Sequence, residues 1–356
     1  MDEQRIYVSE PEELHETFVA RAREFGTAGS STFKALIGDQ ALIFLSGKPH
    51  LEARKLLGPP FLGARMREFG PVIEEITRTV LARVPKDTPV PVIGMTRDIT
   101  LRLMLRFVFG PIEAEDAVVR LCSDLVDAVH GKGGDPVRLQ AELDDFVTAQ
   151  SVGHHDSADV LGHLLRAESL TAEQIRVHVV TLLIAGYEST SSALAWATYL
   201  VHQHPGVLAR INEPGYLDAV CDEVLRYASI VPTGIARTVP GEDTELVPCI
   251  HAAHRRPEAF ADPDRFAPDR FLGGRFSPTE YLPFGIGPRR CLGAVFAAYE
   301  MRIALATMLA TPGFRVHPTE REVPAEVQGP TLTLPETVLA ELASVDDAGK
   351  LVAELR

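Results

Sequence analysis

The sequence contains only four cysteines, and they stand far apart. Cys122, Cys221, Cys249 and Cys291 include no CxxC pair, the spacing that is typical of zinc ribbons. They also lack the density of the disulfide frameworks found in small secreted domains. Each cysteine therefore has to be interpreted by itself.

Long apolar runs and basic charge are also scarce. The longest apolar run, residues 179–185, is too short to cross a bilayer, and the N-terminus MDEQRIYVSEPEEL has neither a basic stretch nor an apolar core. Thirty-five Lys and Arg against 49 Asp and Glu leave a formal net charge of −14, which repels phosphate backbones and anionic lipid. The sequence predicts a cytoplasmic protein with no membrane span and no nucleic-acid partner.

Apolar residues are plentiful, and most recur with helical spacing. They make up 46% of the 356 residues, which is enough for one large core. The helical spacing is clear in residues 65–81, 99–109 and 115–129, whereas strand-like stretches are limited to residues 89–93, 313–316 and 331–334. No repeat and no change of composition divides the chain. We predict a mainly α protein with a small β component, folded as a single domain over residues 1–356.

The longest predicted helix begins at the capping box TAEQ, with Thr171 as its first residue, and ends before Pro205. Its middle is apolar on nearly every face, so we expect it to be buried. Glu188 and Ser189 lie in that middle, where a carboxylate is costly unless it is hydrogen-bonded or used, and buried acids are candidates for proton transfer. Gly186 suggests a place where the helix backbone opens. The alternative is a core helix whose hydroxyls bond to its own carbonyls.

The segment FGIGPRRCLG, residues 284–293, is the most specific feature of the sequence. Gly285, Gly287 and Gly293 allow the backbone to approach Cys291 closely, so that amide groups can point at its sulfur. A helix predicted directly after Gly293 has its positive end near the sulfur, which favours a thiolate. Phe284 is placed to shield the sulfur from water. The alternative is an inert, buried cysteine.

This segment fills every specified position of F-G-x-G-x-[HR]-x-C-x-G, and it therefore resembles the cysteine loop of the cytochrome P-450 family. The resemblance follows the family's order from residue 6 to about residue 334. It implies a cytochrome P-450-like helical fold with a small, truncated β-sheet, a haem b cofactor and Cys291 as the axial ligand of the haem iron. Relative to the family, the strands before residue 6 and a β-hairpin after residue 246 are missing, and we expect a reduced sheet on the substrate side.

The resemblance also assigns roles to polar residues outside the loop. Glu188 and Ser189 match an acid and a Thr that relay protons, with Ser as a departure from the family and Thr190 as a partial substitute. Ala185 and Gly186 belong to the cofactor-facing part of the same helix. Four residues match the positions that bind the haem propionates, namely His50, Arg54, Arg237 and Arg289. A surface arginine is the alternative for Arg237.

Glu223 and Arg226 stand three apart in CDEVLRY, a spacing that by itself indicates a surface ion pair. The later stretch DPDRFAPDR resembles the family segment whose last arginine, here Arg270, completes a buried structural Glu-Arg-Arg triad. His251 and His254 lack the helical context of metal ligands, as do His154 and His155, and we interpret all four as solvated loop histidines.

The resemblance implies an O2-dependent haem-thiolate monooxygenase, closest to bacterial members that act on fatty acids or terpenoids. No flavin or iron–sulfur motif is present, so electrons would come from an external ferredoxin and an NAD(P)H-linked ferredoxin reductase. Eight arginines against six acids between residues 251 and 302 favour docking of an acidic ferredoxin on the cysteine side. Two alternatives stay open: a haem-binding protein with impaired or peroxide-dependent activity that acts mainly as a ligand binder, and a helical interaction protein without haem.

Overall fold

The computed structural model describes residues 4–28, 34, 37–62 and 64–344, and helices dominate this part of the chain. The α-helices are α1 (Pro11–His15), α2 (Gly47–Leu57), α3 (Ala64–Arg83), α4 (Val92–Phe109), α5 (Glu115–Val129), α6 (Pro136–Ser151), α7 (Val160–Leu165), α8 (Ala172–Gln203), α9 (Pro205–Ala209), α10 (Tyr216–Tyr227), α11 (Ile250–Ala253) and α12 (Ala294–Leu309). A π-helical turn covers Glu16–Ala20, and short 3-10 turns cover Pro59–Phe61, Pro268–Phe271 and Gly287–Arg289.

The fold is organised around α8, which is 32 residues long. Its start is fixed by a capping box: the Thr171 hydroxyl accepts from the Gln174 amide at 3.2 Å, and the Gln174 side chain accepts from the Thr171 amide at 2.9 Å. Helices α4, α6, α10 and α12 pack around it. Leu194 and Leu200 of α8 are fully buried together with Leu305 of α12, which explains why the middle of α8 is apolar on all sides.

The strands form two small sheets and a hairpin. They are β1 (Gln4–Val8), β2 (Val90–Pro91), β3 (Arg237–Thr238), β4 (Thr244–Pro248), β5 (Phe314–Val316), β6 (Glu326–Gln328), β7 (Thr331–Thr333) and β8 (Leu339–Leu342). The sheet orders are β1-β4-β3 and β2-β8-β5, and β6 pairs with β7. In the first sheet β1 runs parallel to β4, from Gln4 opposite Thr244 to Val8 opposite Pro248.

In the described part of the chain, the first sheet has no hairpin at the place, after β4, where the sequence predicts that one is missing. Strand β4 leads directly into α11 without a hairpin between them. Among the described residues β1 pairs with β4 alone, and its side chains Ile6 and Tyr7 are 42% and 58% exposed. The sheet thus consists of three short strands with an apolar, exposed margin.

The predicted fold class, mainly α with a small β component, is confirmed. The prediction of a strand at residues 89–93 is wrong in part. Only Val90 and Pro91 pair as a strand, because Val92 and Ile93 already form the first turn of α4 and lie in the core. Within the described ranges, no helix combines the length and the apolar character needed to span a membrane.

Candidate active site

A cavity of about 1340 Å³ lies against the middle of α8. Its walls come from α2, α8, the segment after α10, the first sheet, the loop before α12 and the turn between β6 and β7. Cys291, Glu188 and Arg237 all line it, although they are far apart in the sequence. The fold therefore brings the thiol, the helix acid and a buried cation to one space.

Two glycines of the loop before α12 have backbone conformations that other residues rarely adopt. Gly285 and Gly287 adopt φ values of +72° and +65°, in the left-handed region that favours glycine. A Cβ at Gly287 would lie 2.0 Å from the carbonyl oxygen of Phe18, so no other residue fits there without moving the π-helical turn. The Cys291 amide donates to the Phe284 carbonyl at 2.8 Å, which closes the loop.

Cys291 lies deep in the protein, yet its side chain is exposed to the cavity. Burial raises the pKa of the thiol, while a hydrogen bond from the Gly293 amide and the charges of Arg290 and Arg54 lower it. Helix α12 begins at Ala294, so the positive end of its dipole also lies near the sulfur. Burial has the largest effect, so the pKa of the thiol is raised overall, and the amide and the two arginines are the groups that favour its anionic form.

Phe284 stands between this cavity and a smaller hollow on the outer face of the loop. It lines both spaces, and the hollow has a volume of about 580 Å³. The exposed Arg290 lies over the Phe284 ring at 5.9 Å from the ring centroid. The aromatic ring therefore separates the cavity beside Cys291 from the protein surface.

Four cationic or potentially cationic side chains meet at one end of the cavity. They are His50, Arg54, Arg237 and Arg289. Burial, together with the charges of the three arginines, lowers the pKa of His50 to about 4. Burial alone lowers the pKa of Arg237 to about 10, and burial with the charges of Arg237 and Arg54 lowers that of Arg289 to about 10. None of the four has an acidic partner in the described part of the chain.

The hydrogen bonds of the three arginines go to neutral groups. Arg54 donates to the Arg290 carbonyl at 2.7 Å. Arg289 donates to the backbone carbonyls of residues 42, 43 and 45 and to the hydroxyls of residues 27 and 46. Arg237 makes a single long contact, 3.5 Å to the Ile235 carbonyl, and is 3% exposed. Buried cations without an acid require an anionic partner from outside the described chain.

Glu188 and Ser189 face the cavity from the middle of α8. Burial raises the pKa of Glu188 to about 7, although Arg97, Lys132 and a hydrogen bond from Gln328 lower it. The Ser189 hydroxyl donates weakly to the Ala185 carbonyl at 3.3 Å, and the Thr190 hydroxyl donates to the Gly186 carbonyl at 2.8 Å. Both hydroxyls thus bond to the backbone of their own helix, and Ser189 makes the longer bond.

Helix α8 passes through Gly186 without a break. A Cβ at Gly186 would lie 2.6 Å from the terminal methyl of Met104 on α4. The sequence interpretation of an opened helix is therefore wrong in this structure, where the glycine makes room for α4. Ala185 lies beside it and is exposed to the cavity.

The comparisons with known proteins agree with this arrangement. The family model for cytochrome P450 matches residues 138–338, which is 201 of the 356 residues. This chain belongs to the cytochrome P450 family. It is a haem-dependent monooxygenase, an oxidoreductase, and its relatives are bacterial.

Two relatives illustrate the similarity of sequence. Cytochrome P450 135B1 of Mycobacterium tuberculosis is 30% identical over 355 residues, with 85% of this chain and 75% of the relative covered. Cytochrome P450 138 of the same species is also 30% identical, over 347 residues, with 85% and 78% covered. This P450 therefore spans about three quarters of the length of these relatives.

Two solved structures share the fold. A retinoic-acid-bound cyanobacterial CYP120A1 superimposes with a TM-score of 0.84 at 22% identity, covering 96% of this chain and 89% of that chain. A cytochrome P450DA haem domain superimposes with a TM-score of 0.80 at 24% identity, covering 95% and 87%. At these identities the likeness concerns the fold.

The residues of this P450 fit a haem. The cofactor has two carboxylates on one edge, and the three arginines without carboxylate partners, together with the neutral His50, provide donors for them. Iron accepts a thiolate ligand, and Cys291 opens into the same cavity as these cations. The donor set and the space both agree with the cofactor that the family carries.

The structure brings Glu223, Arg226 and Arg270 together outside the cavity. Glu223 accepts from Arg226 at 2.7 and 2.8 Å and from Arg270 at 3.2 Å, and it also accepts from the Ala267 amide at 2.7 Å. Glu223 and Arg226 are fully buried. The surface ion pair that their spacing alone would indicate is therefore excluded.

The interpretation of His254 as a solvated loop residue is wrong. It is fully buried, its Nε2 atom accepts from the Leu282 amide at 3.0 Å, and its ring stacks on Tyr281. Burial and the charge of Arg226 lower its pKa to about 3, so the ring is neutral. It holds the segment that leads into the cysteine loop.

His251 and His155 are exposed, and the described residues contain no cluster suited to a metal ion.

The sequence also gave no sign of the residues around Glu188. Arg97, His130 and Gln328 come from three separate segments and meet only in the folded chain. His130 follows α5 and Gln328 ends β6, and neither lies in a recognisable motif. A pattern search in one sequence cannot find such a group, because no spacing connects its members.

Proposed function

We propose that this P450 is a haem-thiolate monooxygenase that inserts one oxygen atom from O2 into a hydrophobic small molecule of the fatty-acid or terpenoid class. A single observation carries the proposal: Cys291, the three arginines with His50, and the Glu188–Ser189 pair line one cavity. A thiolate ligand, propionate anchors and an acid–hydroxyl pair are the parts that such a reaction needs.

Haem b would be held at two ends. Cys291 would bind the haem iron, with the Gly293 amide donating to its sulfur, and the left-handed Gly285 and Gly287 shape the loop that carries it. The propionates would take charge-assisted hydrogen bonds from Arg54, Arg237 and Arg289, and a neutral one from His50. When bound, the haem supplies the activation of O2, with a thiolate ligand that favours cleavage of the O–O bond.

The proton path would start at Glu188 and pass through Ser189. With its pKa raised to about 7 by burial, Glu188 is present in both protonated and ionised forms near neutral pH. The 3.3 Å bond of the Ser189 hydroxyl to its helix is weak, so this hydroxyl can turn toward the cavity. The Thr190 hydroxyl is held at 2.8 Å and is buried, which makes it the less available of the two.

The cavity is large enough for a substrate beside the cofactor. Its volume of about 1340 Å³ exceeds the roughly 300–1,000 Å³ of ordinary small-molecule pockets. Apolar side chains from separate elements line it, including Val126 and Val129 of α5, Ile184 of α8, and Ile230 and Val231. Such a lining favours an apolar substrate over a charged or highly hydroxylated one.

Electrons would come from a ferredoxin that is served by an NAD(P)H-linked reductase. The hollow outside Phe284 contains the exposed Arg290, and Val295 at its edge is 52% exposed. Arg302 lines the same hollow. Asp218 and Asp222 line it as well, and Arg302 pairs with Asp218 at 3.3 Å. The support for an acidic partner at this face is therefore Arg290 together with the exposed Val295, next to the Phe284 ring.

Two measurements test the proposal. Reduced protein exposed to CO should show the red-shifted Soret band of a thiolate-ligated haem, and Cys291→Ala should lose it; a Cys291→Ala spectrum like that of the unaltered protein would refute the ligand assignment. A panel of fatty acids and terpenoids, with a surrogate ferredoxin and reductase and product detection by mass spectrometry, tests turnover. Binding spectra without any product would instead favour a ligand binder.

A further inference from the structure

The carboxyl of Glu188 has an unpaired atom and one close basic neighbour. Its Oε1 atom is buried without a hydrogen-bond partner among the described residues. The Nε2 atom of His130 lies 3.7 Å from it. This distance is longer than a hydrogen bond, so the two side chains face each other without being bonded. His130 has no other assigned role.

The amide of Gln328 has only one orientation that satisfies its neighbours. Its Oε1 atom accepts from Arg97 Nη2 at 2.5 Å and from Lys132 Nζ at 3.4 Å. Arginine and lysine side chains only donate, so the end of the amide that faces them has to be the oxygen. The amide nitrogen then faces His130 Nδ1 at 3.3 Å.

This orientation selects the tautomer of His130. The Gln328 nitrogen can only donate, so Nδ1 of His130 has to accept, and the ring proton of neutral His130 is on Nε2. Nε2 is the atom that faces Glu188. Arg97 and Lys132 thus orient the Gln328 amide, and this amide selects the tautomer of His130. The selected tautomer directs the Nε2–H group of His130 at the unpaired carboxyl oxygen of Glu188.

The turn between β6 and β7 keeps the ring of His130 in place. Gly329 adopts a φ of +54°, and a Cβ there would lie 2.6 Å from His130 Nε2. Any side chain at this position would push the ring away from Glu188 or displace the hairpin. The glycine thus allows the hairpin to pack directly on the imidazole.

We propose that His130 is a positioning residue for Glu188: held in its Nε2–H tautomer by Gln328, it donates a hydrogen bond to the Glu188 carboxylate once that carboxyl has released its proton. This inference rests on the proposed role of Glu188 in proton transfer. No covalent change occurs at His130, since its proton stays on Nε2 while the Glu188 proton leaves toward Ser189. Closing the gap from 3.7 Å to about 2.8 Å gives a charge-assisted bond.

The charges around the pair agree with a neutral histidine. Burial and the charges of Lys132 and Arg97 lower the pKa of His130, against Asp127, which raises it. The Arg97 and Lys132 charges also lower the pKa of Glu188, and Asp127 raises it, but burial has the largest effect on both groups. The remaining titratable neighbour, Tyr187, has its pKa raised by burial and stays neutral.

The tautomer can be read by 15N NMR of histidine-labelled protein in the reduced, CO-bound state, which is diamagnetic. His130→Gln identifies the signal, and His155→Gln, at an exposed histidine, is the matched control that should leave it unchanged. We expect a neutral Nε2–H ring at pH 7, and a mixture of tautomers in Gln328→Leu. A cationic ring or an Nδ1–H tautomer at pH 7 would overturn the proposal.

The hydrogen bond can be read by infrared titration of the Glu188 carboxyl, identified by its loss in Glu188→Gln. We expect His130→Phe to raise the proton affinity of Glu188 about tenfold or more, because a bond to a charged group is lost, and His130→Asn to restore part of it. The CO spectrum checks that each variant is folded. An unchanged midpoint in His130→Phe refutes the positioning role, whatever Gln328→Leu does, because Gln328 also bonds Glu188 directly. If the midpoint shifts but Glu188→Gln forms product at the normal rate, the proton-transfer role of Glu188 fails instead.

Discussion

Replacing Arg237 by Met should change the stability of the haem-free protein and of the haem-bound protein in opposite directions. Burial lowers the pKa of Arg237 from its ordinary value to about 10. At about 1.4 kcal/mol for each pKa unit, burial disfavours the charged side chain by about 3 kcal/mol. The ring of Phe18, 5.8 Å away, offsets about 1 kcal/mol of this as a cation–π contact. The haem-free Arg237→Met variant should therefore gain about 2 kcal/mol.

With haem bound, the same substitution should weaken the complex. A hydrogen bond between a charged donor and a carboxylate contributes about 1.5–3 kcal/mol, so haem affinity should fall about tenfold to a hundredfold. Urea denaturation of haem-free protein gives the first quantity, and haem transfer to a scavenger protein gives the second.

The control is Arg78→Met, which breaks an exposed pair with Glu74 at 3.0 Å. An exposed pair of this kind contributes at most about 0.5 kcal/mol, so both states should hardly change. If Arg237→Met destabilised the haem-free protein as strongly as it weakened haem binding, Arg237 would have a structural role and the carboxylate-site reasoning would be refuted.

Three further predictions concern other buried groups. Glu300 is fully buried without a hydrogen-bond partner among the described residues, and burial raises its pKa well above 4.5. The folded state therefore keeps a proton that the unfolded state releases, and the unaltered protein loses stability as the pH rises from about 5 to about 8. Glu300→Gln should not have this loss, so urea denaturation should show it gaining stability relative to the unaltered protein between the two pH values. Glu223→Ala leaves the buried Arg226 without its acid and should cost about 3–5 kcal/mol of unfolding free energy, whereas a loss below 1 kcal/mol would contradict the triad's structural role. The pKa of Glu188 is about 7, so its protonated fraction falls as the pH rises through that value. The fraction of consumed O2 that ends in product should fall with it, and the fraction released as peroxide should rise. Glu188→Gln should lose this pH dependence when product and peroxide are measured together.

Local signals in the sequence predicted much of the fold. The capping box at Thr171 and the proline at 205 located the longest helix to within a residue or two, because these residues act through their immediate neighbours. The stretch at residues 89–93 misled, since Val92 and Ile93 suit a buried strand and a buried helix equally well. Only packing against the rest of the core decides between the two, and packing is not visible in a short window of sequence.

For the site, the sequence predicted the residues that share a motif and missed those that meet through tertiary contacts. The cysteine loop and His50 with Arg54 were found because their members are close in sequence. His254 was misread, since its burial depends on Leu282 and Tyr281, nearly 30 residues away. The group around Glu188 was missed for the same reason: its members come from α4, the turn after α5, and β6.

The contact between Gly287 and Phe18 has a consequence for how the protein is assembled. These residues are 269 positions apart, and β1 pairs with β4 across a similar distance along the chain. Contacts of such high sequence separation form late, after much chain entropy has been lost. Since the loop that carries Cys291 rests on the Phe18 turn, and Thr331 also lines the cavity, all residues from 18 to 331 have to be synthesised before the site can close. The rate at which the cofactor site forms should therefore depend on how quickly these distant segments find each other.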